Sequence, residues 1–228
     1  FLACTDPKPS TTEETPEYDP EIYMDLRKEY PNAPDRGLEI RTSVYEVAPY
    51  TEIINCYFGT YHGPTTGVDF YQPLEPDLYS HHSQLKTTPI QQPDGTLEDC
   101  SYLDASMSDF VPLFEAVGIE AQEGANGNWL NFPEGIAMRL EEEKQYVIDM
   151  HYINTSDKIL VVQNGANLGL MPDDEVDFYA GSAQFDSGPP EITPGDYTDS
   201  FDCEWHQDAT VLSISAHMHS AGTAFYID

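Results

Sequence analysis

Alternation of apolar and polar residues is the feature of this 228-residue sequence that most limits its fold. It is clearest in GLEIRTSVYEVAPYTEIINCYFGTY at 37–61, IAMRLEEEKQYVIDMHYIN at 136–154 and KILVVQNGANLGLM at 158–171. A two-residue period predicts strands that bury one face. Turn-forming residues separate these stretches, and 15 Tyr, 10 Phe, 18 Pro and 15 Gly favour short strands over long helices. The sequence therefore predicts an all-β protein built from β-sandwiches.

The remaining segments suggest how the chain is divided. DGT at 94–96 and GANGN at 124–128 predict turns, and the Pro-, Gly- and acid-rich stretch 186–202 predicts a long loop or linker. PEIYMDLRKEY at 20–30 predicts a short helix that ends before Pro31. ATVLSISAHMH at 209–219 predicts a further strand. We expect a polar N-terminal segment at 1–36, one sandwich domain at 37–175, and the opening strands of a second at 176–228.

The charge of the chain excludes several classes of partner. Its 41 acidic and 9 basic residues give a net charge of −32, and no Lys or Arg follows Lys158. Nucleic acid and anionic lipid surfaces are therefore not expected partners. A solvated acidic surface explains this composition more simply than a dedicated cation-binding role.

The first residues and the cysteines point to export. FLAC followed by a polar, Pro- and Thr-rich stretch is similar to the end of a bacterial lipoprotein signal, with Cys4 as the lipid-bearing residue. We therefore expect a cell-surface or periplasmic protein whose membrane contact is limited to such an anchor. Cys56, Cys100 and Cys203 lack the C-x-x-C spacing of zinc or thioredoxin sites. In an oxidising compartment Cys56 and Cys100 could close a loop, which leaves Cys203 over, whereas a reducing one would keep all three as thiols.

Five of the seven histidines lie in settings that suit metal ligation. His217 and His219 are two residues apart on an expected strand, so both rings would project from one face. His81 and His82 are adjacent, and a shared metal would need a strand end or a bulge to turn one ring. His151 would share a strand face with Asp149, opposite the core. Taken singly, each pattern is more typical of an ordinary strand residue, and we interpret His62 and His206 as non-ligands.

In combination and order, these motifs resemble the copper type II, ascorbate-dependent monooxygenases, the family of peptidylglycine α-hydroxylating and dopamine β-monooxygenases. YSHHSQL at 79–85 resembles its paired-histidine strand, VIDMHYIN at 147–154 its strand with the third ligand, and SAHMHSAGT at 215–223 the H-x-H strand of its second domain. The similarity extends from about residue 37 to 228. It implies two tandem jelly-roll-like sandwiches, the second incomplete in this chain.

The resemblance also implies a site and a chemistry. His81, His82 and His151 would hold one copper that handles electrons, while His217, His219 and a methionine would hold a second that meets oxygen. Imidazole and thioether ligands suit copper. Ascorbate or another one-electron donor and O2 would then serve to hydroxylate a C–H bond of a small or peptide-like substrate, in a protein expected to be a monomer. Cys56 and Cys100 fall where the family has a disulfide.

The sequence departs from the family pattern at three points, and these limit which of the family's functional properties the resemblance implies. Its methionine ligand would lie beyond residue 228, so the resemblance implies a cut-off chain that would not turn over alone. Ser215 replaces the arginine that grips a peptide carboxylate, which leaves the substrate open, and Asp149 replaces a glutamine. Two alternatives remain: a non-catalytic exported copper-binding protein, and an acidic surface or adhesion sandwich with unrelated histidines.

Overall fold

A computed structural model describes residues 18–76, 78–100, 111–117 and 130–182, with scattered positions between 195 and 226; for 111–117 only the backbone is described. Within this part of the chain the secondary structure is β, apart from one 3₁₀ turn at Asp173–Glu175. The strands, in chain order, are β1 Tyr23–Asp25, β2 Gly37–Arg41, β3 Tyr45–Val47, β4 Glu52–Tyr61, β5 Thr66–Leu74, β6 Ser80–Thr88, β7 Leu97–Asp99, β8 Val111–Val117, β9 Leu130–Asn131, β10 Ile136–Leu140, β11 Lys144–Ile153, β12 Ile159–Val162, β13 Gly165–Pro172 and β14 Phe178–Ala180.

A five-stranded antiparallel sheet carries His81, His82 and His151. Its order is β7-β4-β11-β6-β8, and β11 lies at the centre between β4 and β6. All ten residues of β11 pair with β4, from Lys144 opposite Tyr61 to Ile153 opposite Glu52. A central strand of this length is held on both edges by backbone hydrogen bonds, so its side chains are fixed in register.

A second sheet of six strands has the order β14-β10-β5-β13-β2, with β9 paired to β5. Its pairings are antiparallel except for β10 with β14. A third sheet, β1-β12-β3, adds the parallel pair β1 and β12. The folded body therefore includes 23–25 and 178–180, which lie just outside the range 37–175.

The main core lies between these sheets. The five-stranded sheet contributes one face of alternating residues, including Leu85, Ile148 and Met150, and the six-stranded sheet contributes Val68 and Leu168 to the same cluster. Full burial of such a side chain stabilises the fold by about 1.5–3 kcal/mol. The all-β sandwich prediction is confirmed in this part of the chain. The tandem second domain stays a prediction.

The opposite face of the five-stranded sheet has a smaller apolar cluster of Cys56, Phe58, Cys100 and Val147. The Cys56–Cys100 disulfide belongs to it and spans 5.6 Å between Cα atoms. The pairing that the resemblance implied is therefore present. The polar residues of the candidate site lie on this same outer face.

Two local predictions are settled by the described residues. The turn at 94–96 is confirmed, since Gly95 has a φ of 82° and its N–H donates to the Phe58 carbonyl. The helix at 20–30 is wrong, because Tyr23–Asp25 pairs in parallel with Ile159–Val161 as an edge strand instead.

The end of the chain is described only in part. Residues 209–214 are not in a strand, contrary to the prediction for 209–219, and 215–219 lie outside the described residues. GANGN at 124–128 and most of 186–202 also lie outside them. No helix in the described part has the length and apolar character needed to cross a membrane.

Candidate metal centre

Strand pairing between β6 and β11 brings three histidines together. His151 on β11 lies directly opposite His82 on β6, and the next residue, Tyr152, lies opposite Ser80. His81 is therefore an extra residue on β6, between the two residues that lie opposite His151 and Tyr152. This two-against-one arrangement is a β-bulge, which turns a side chain away from its regular direction. The bulge supplies the local irregularity that the adjacent His81 and His82 need to share one site.

The chain before the bulge fixes its position. Tyr79 has a φ of 65°, in the left-handed region that few non-glycine residues adopt. Its carbonyl accepts a hydrogen bond from the Ile153 N–H. Ser80 donates through its hydroxyl to Glu75 at 2.9 Å. These contacts hold the entry to β6 directly before the extra residue His81.

The three imidazoles form a compact cluster. One ring nitrogen from each of His81, His82 and His151 lies within 4.8 Å of the others. The ring centroids are 5.2, 4.9 and 5.1 Å apart for the pairs 81–82, 81–151 and 82–151. His151 is 4% exposed and the other two are half-buried. Among the described residues, this is the group of three or more metal-ligating side chains close enough to hold one ion.

Two carboxylates lie beside the Nε2 atoms of two of these rings. Nε2 of His151 lies 2.8 Å from Glu52 Oε1, and Glu52 occupies the strand position diagonal to His151 across β4. Nε2 of His82 lies 3.6 Å from Asp149 Oδ1. A carboxylate on one ring nitrogen favours the N–H there and leaves the other nitrogen as the metal ligand.

Asp149 is itself held by a buried lysine. Lys86 donates through Nζ to Asp149 Oδ2 at 2.7 Å, and the Lys86 side chain is only 3% exposed. Asp149 pairs with Gln84, so His82 and Lys86 flank it diagonally on the same sheet face. The site is thus continued by a row of polar side chains along β6.

Burial and charge shift two pKa values in this cluster. Burial lowers the pKa of His151 below its usual value, although the Glu52 carboxylate acts in the opposite direction. Burial alone would raise the pKa of Asp149, but its contacts with His82 and Lys86 hold that pKa below its usual range. His151 therefore stays neutral, as a metal ligand must, at pH values where an ordinary histidine begins to protonate.

The donor set fits a transition-metal ion such as copper. Three neutral imidazoles suit copper, zinc and nickel, whereas calcium and magnesium require oxygen ligands. Among the described residues, the cysteines are Cys56 and Cys100, and their disulfide leaves no thiolate for a metal. Glu52 and Asp149 lie beside Nε2 of His151 and His82, and this arrangement would leave Nδ1 of each ring for a metal, as supporting carboxylates do around metal-bound histidines.

The other candidate residues stand apart from this cluster or outside the described residues. The His62 side chain is 64% exposed and contacts Glu143 and Asp94, and that of His206 is 77% exposed. Both lie outside the three-histidine group. His217, His219, Cys4 and Cys203 fall among the residues that are not described.

Sequence reasoning missed two residues of the site, Glu52 and Lys86. A signal for Lys86 was present in the sequence. His82, Gln84 and Lys86 are two residues apart and so share one face of a strand, and this strand continues without a turn to Thr88. Polar residues in such a row on a central sheet need partners when they are buried. Glu52 carried no comparable signal, since its position depends on the register between β4 and β11.

Comparison with known proteins adds no relative to this description. The chain matches no protein-family model, and a search of curated proteins finds no match.

Proposed function

We propose that this chain is the copper-binding portion of a copper-dependent monooxygenase. The enzyme would hydroxylate a C–H bond of a small organic or peptide-like substrate, with O2 and ascorbate or another one-electron donor. The observation that carries the proposal is the convergence of His81, His82 and His151 at a bulge between two central strands. The order of the histidine motifs in the sequence supports the same function.

Copper bound here would supply a one-electron Cu(II)/Cu(I) couple. His81, His82 and His151 would hold it, and Glu52 would keep the His151 ring in one orientation through its contact with Nε2. The burial of His151 limits the access of water and keeps the imidazole neutral. Such a site is suited to store and pass an electron.

The remaining parts of the proposed enzyme fall on residues that are not described. His217 and His219, with a methionine, would hold the second copper, where oxygen and substrate meet. The disulfide between Cys56 and Cys100 supports export to an oxidising compartment, since such bonds are rare in the cytosol. Cys4 remains the proposed lipid anchor.

A second function is favoured by the completeness of the first site. All three ligands of the described cluster come from strands β6 and β11, so copper binding needs no further domain. A non-catalytic exported copper-binding protein would use the same residues. The two functions differ in one measurement: the enzyme would consume O2 in an ascorbate- and substrate-dependent way, and the binding protein would not.

Copper titration tests the site itself. We expect the purified 228-residue chain to retain about one tightly held copper from this cluster after dialysis, measured by metal analysis and by electron paramagnetic resonance of Cu(II). His151→Ala should abolish this copper, because two imidazoles cannot complete the set.

His62→Ala is the matched control for this titration, since it removes an exposed histidine outside the cluster. It should leave copper binding unchanged. Retention of the copper by His151→Ala with the fold intact, judged by circular dichroism, would overturn the assignment.

A further inference from the structure

Within the described part of the chain, Lys86 and Asp149 form a buried charged pair that the proposed ligand set does not use. The Asp149 side chain is 14% exposed and that of Lys86 3%, and their charged atoms lie 2.7 Å apart. Charges are rarely buried without a partner, and a buried pair often adds nothing to stability compared with apolar residues. A contribution to folding stability therefore does not by itself explain why this pair lies beside a histidine cluster.

Register places the pair in contact with the cluster. Along β6, His82, Gln84 and Lys86 share one face, and Asp149 lies opposite the middle residue. The Asp149 carboxylate thus has one oxygen on Lys86 Nζ and the other 3.6 Å from His82 Nε2. A change of charge at either residue is felt at the His82 ring, in surroundings that screen it less than water does.

We propose that Lys86 and Asp149 are positioning residues that tune a copper ion held by His81, His82 and His151, with Asp149 favouring Cu(II) and Lys86 favouring Cu(I). A carboxylate beside Nε2 raises the electron density that the imidazole donates through its other nitrogen, which stabilises the higher oxidation state. Lys86 binds the same carboxylate, so it reduces the electron density that the carboxylate adds to the imidazole and thereby favours Cu(I). The inference rests on the proposed copper function of the cluster.

The exposed carboxylate of Glu52 offers a contrast. It contacts His151 at 2.8 Å, but its side chain is 63% exposed, so water screens its charge. Removing its charge should therefore have a smaller effect than removing that of Asp149, although its contact is shorter. Glu52→Gln is the matched control.

The test compares the affinities of the chain for Cu(II) and Cu(I), each measured by competition with a chelator of known affinity. We expect Asp149→Asn to shift the ratio of the two affinities toward Cu(I) by about tenfold, and Lys86→Gln to shift it toward Cu(II) by about tenfold. A tenfold change corresponds to about 59 mV for a one-electron couple. Glu52→Gln should shift the ratio by less than about threefold.

Opposite signs separate tuning from a purely structural role. If the pair only supports the fold, both substitutions would weaken both oxidation states alike, and the ratio would stay constant. Shifts in the same direction, or none, would overturn the inference. A parent chain that binds no copper would instead overturn the proposed function, and this inference with it.

A measurement on the unchanged protein covers the case in which a variant fails to fold. In the metal-free chain, long-range proton–nitrogen NMR reports which ring nitrogen of His82 carries the proton. We expect the proton on Nε2, which faces Asp149. A proton on Nδ1 would contradict the proposed action of Asp149 on His82.

Discussion

His62 and His151 each contact a carboxylate, but their surroundings shift their pKa values in opposite directions. His62 is exposed, and hydrogen bonds to Glu143 and Asp94 raise its pKa above the usual value. His151 is buried, and that burial lowers its pKa despite the Glu52 contact. At His151, desolvation lowers the pKa by more than one exposed carboxylate raises it. At His62, two carboxylates raise the pKa by more than its slight desolvation lowers it.

Titration of the metal-free chain should separate these histidines. By proton NMR, we expect His151 to titrate below about 6.5 and His62 above it. Protonated His62 stabilises the fold below its usual pKa, and this contribution is lost as pH rises through the raised pKa. For His151 the sign is reversed, because its lowered pKa means that stability is lost as pH falls below about 6.5.

Glu143→Gln is the control for that titration. It removes one of the charges on His62 and should move the His62 midpoint down, while His151 stays in place. A His151 midpoint at or above about 6.5 would show that burial does not dominate its environment.

At the scale of single elements, the alternation of residues predicted the strands and their buried faces but not which strands pair. Alternation in 144–153 correctly assigned Ile148 and Met150 to the core and His151 to the other face. It could only state that His81 and His82 would need a bulge. The location of the bulge follows from the register of β6 on β11, which no local pattern contains.

The helix expected at 20–30 failed for a related reason. The segment is short, and a helix of this length is marginal unless tertiary contacts support it. Here long-range contacts support a strand instead: Ile22 accepts from the Ile159 N–H, and Leu26 donates to the Val161 carbonyl. Met24 and Leu26 pack against the main core as a result. Pairing with β12 thus overrides the local preference.

The connection between β10 and β11 offers a test at this scale. Only 141–143 join a strand of the six-stranded sheet to the centre of the five-stranded one. Glu143 has a φ of 55°, which is strained for a residue with a side chain. We expect Glu143→Gly to raise the free energy of unfolding by about 0.5–1 kcal/mol, measured in urea, because glycine adopts this conformation without strain.

Glu142→Gly is the matched control, since its φ is not positive. It should lower the free energy of unfolding by a few tenths of a kcal/mol to about 1 kcal/mol, because glycine has more freedom to lose on folding. Equal losses for both variants would show that the Glu143 side chain contributes more than its strain costs, through its contact with His62.

For the whole molecule, the strong negative charge lowers the stability of the compact fold. With a net charge of −32, the acidic side chains repel one another when the chain is compact. Several of the described lysine and arginine side chains are used in specific contacts, such as Arg36 with Glu175 and Lys86 with Asp149. Few cations are left to balance the acidic surface, so the sandwich depends on its core and on covalent closure.

The Cys56–Cys100 disulfide supplies the covalent closure that offsets this repulsion. Cys56 lies on β4, opposite Asp149, and Cys100 follows β7 and donates its N–H to the Ile54 carbonyl. The bond therefore ties the edge of the five-stranded sheet to the strand beside β11. Its two cysteines are 44 residues apart, so in the chain-entropy model it stabilises the fold by about 4 kcal/mol.

Removal of this bond should affect stability and the metal site together. We expect the double variant Cys56→Ala/Cys100→Ala to lose about 4 kcal/mol of unfolding free energy in urea, because its unfolded chain regains loop entropy. Copper affinity should fall as well, since β4 supports Glu52 and pairs with the strand that carries His151. Cys203→Ala is the control and should keep both properties. Peptide mapping without reduction that finds free Cys56 in the parent chain, or a loss below about 1 kcal/mol, would contradict this account.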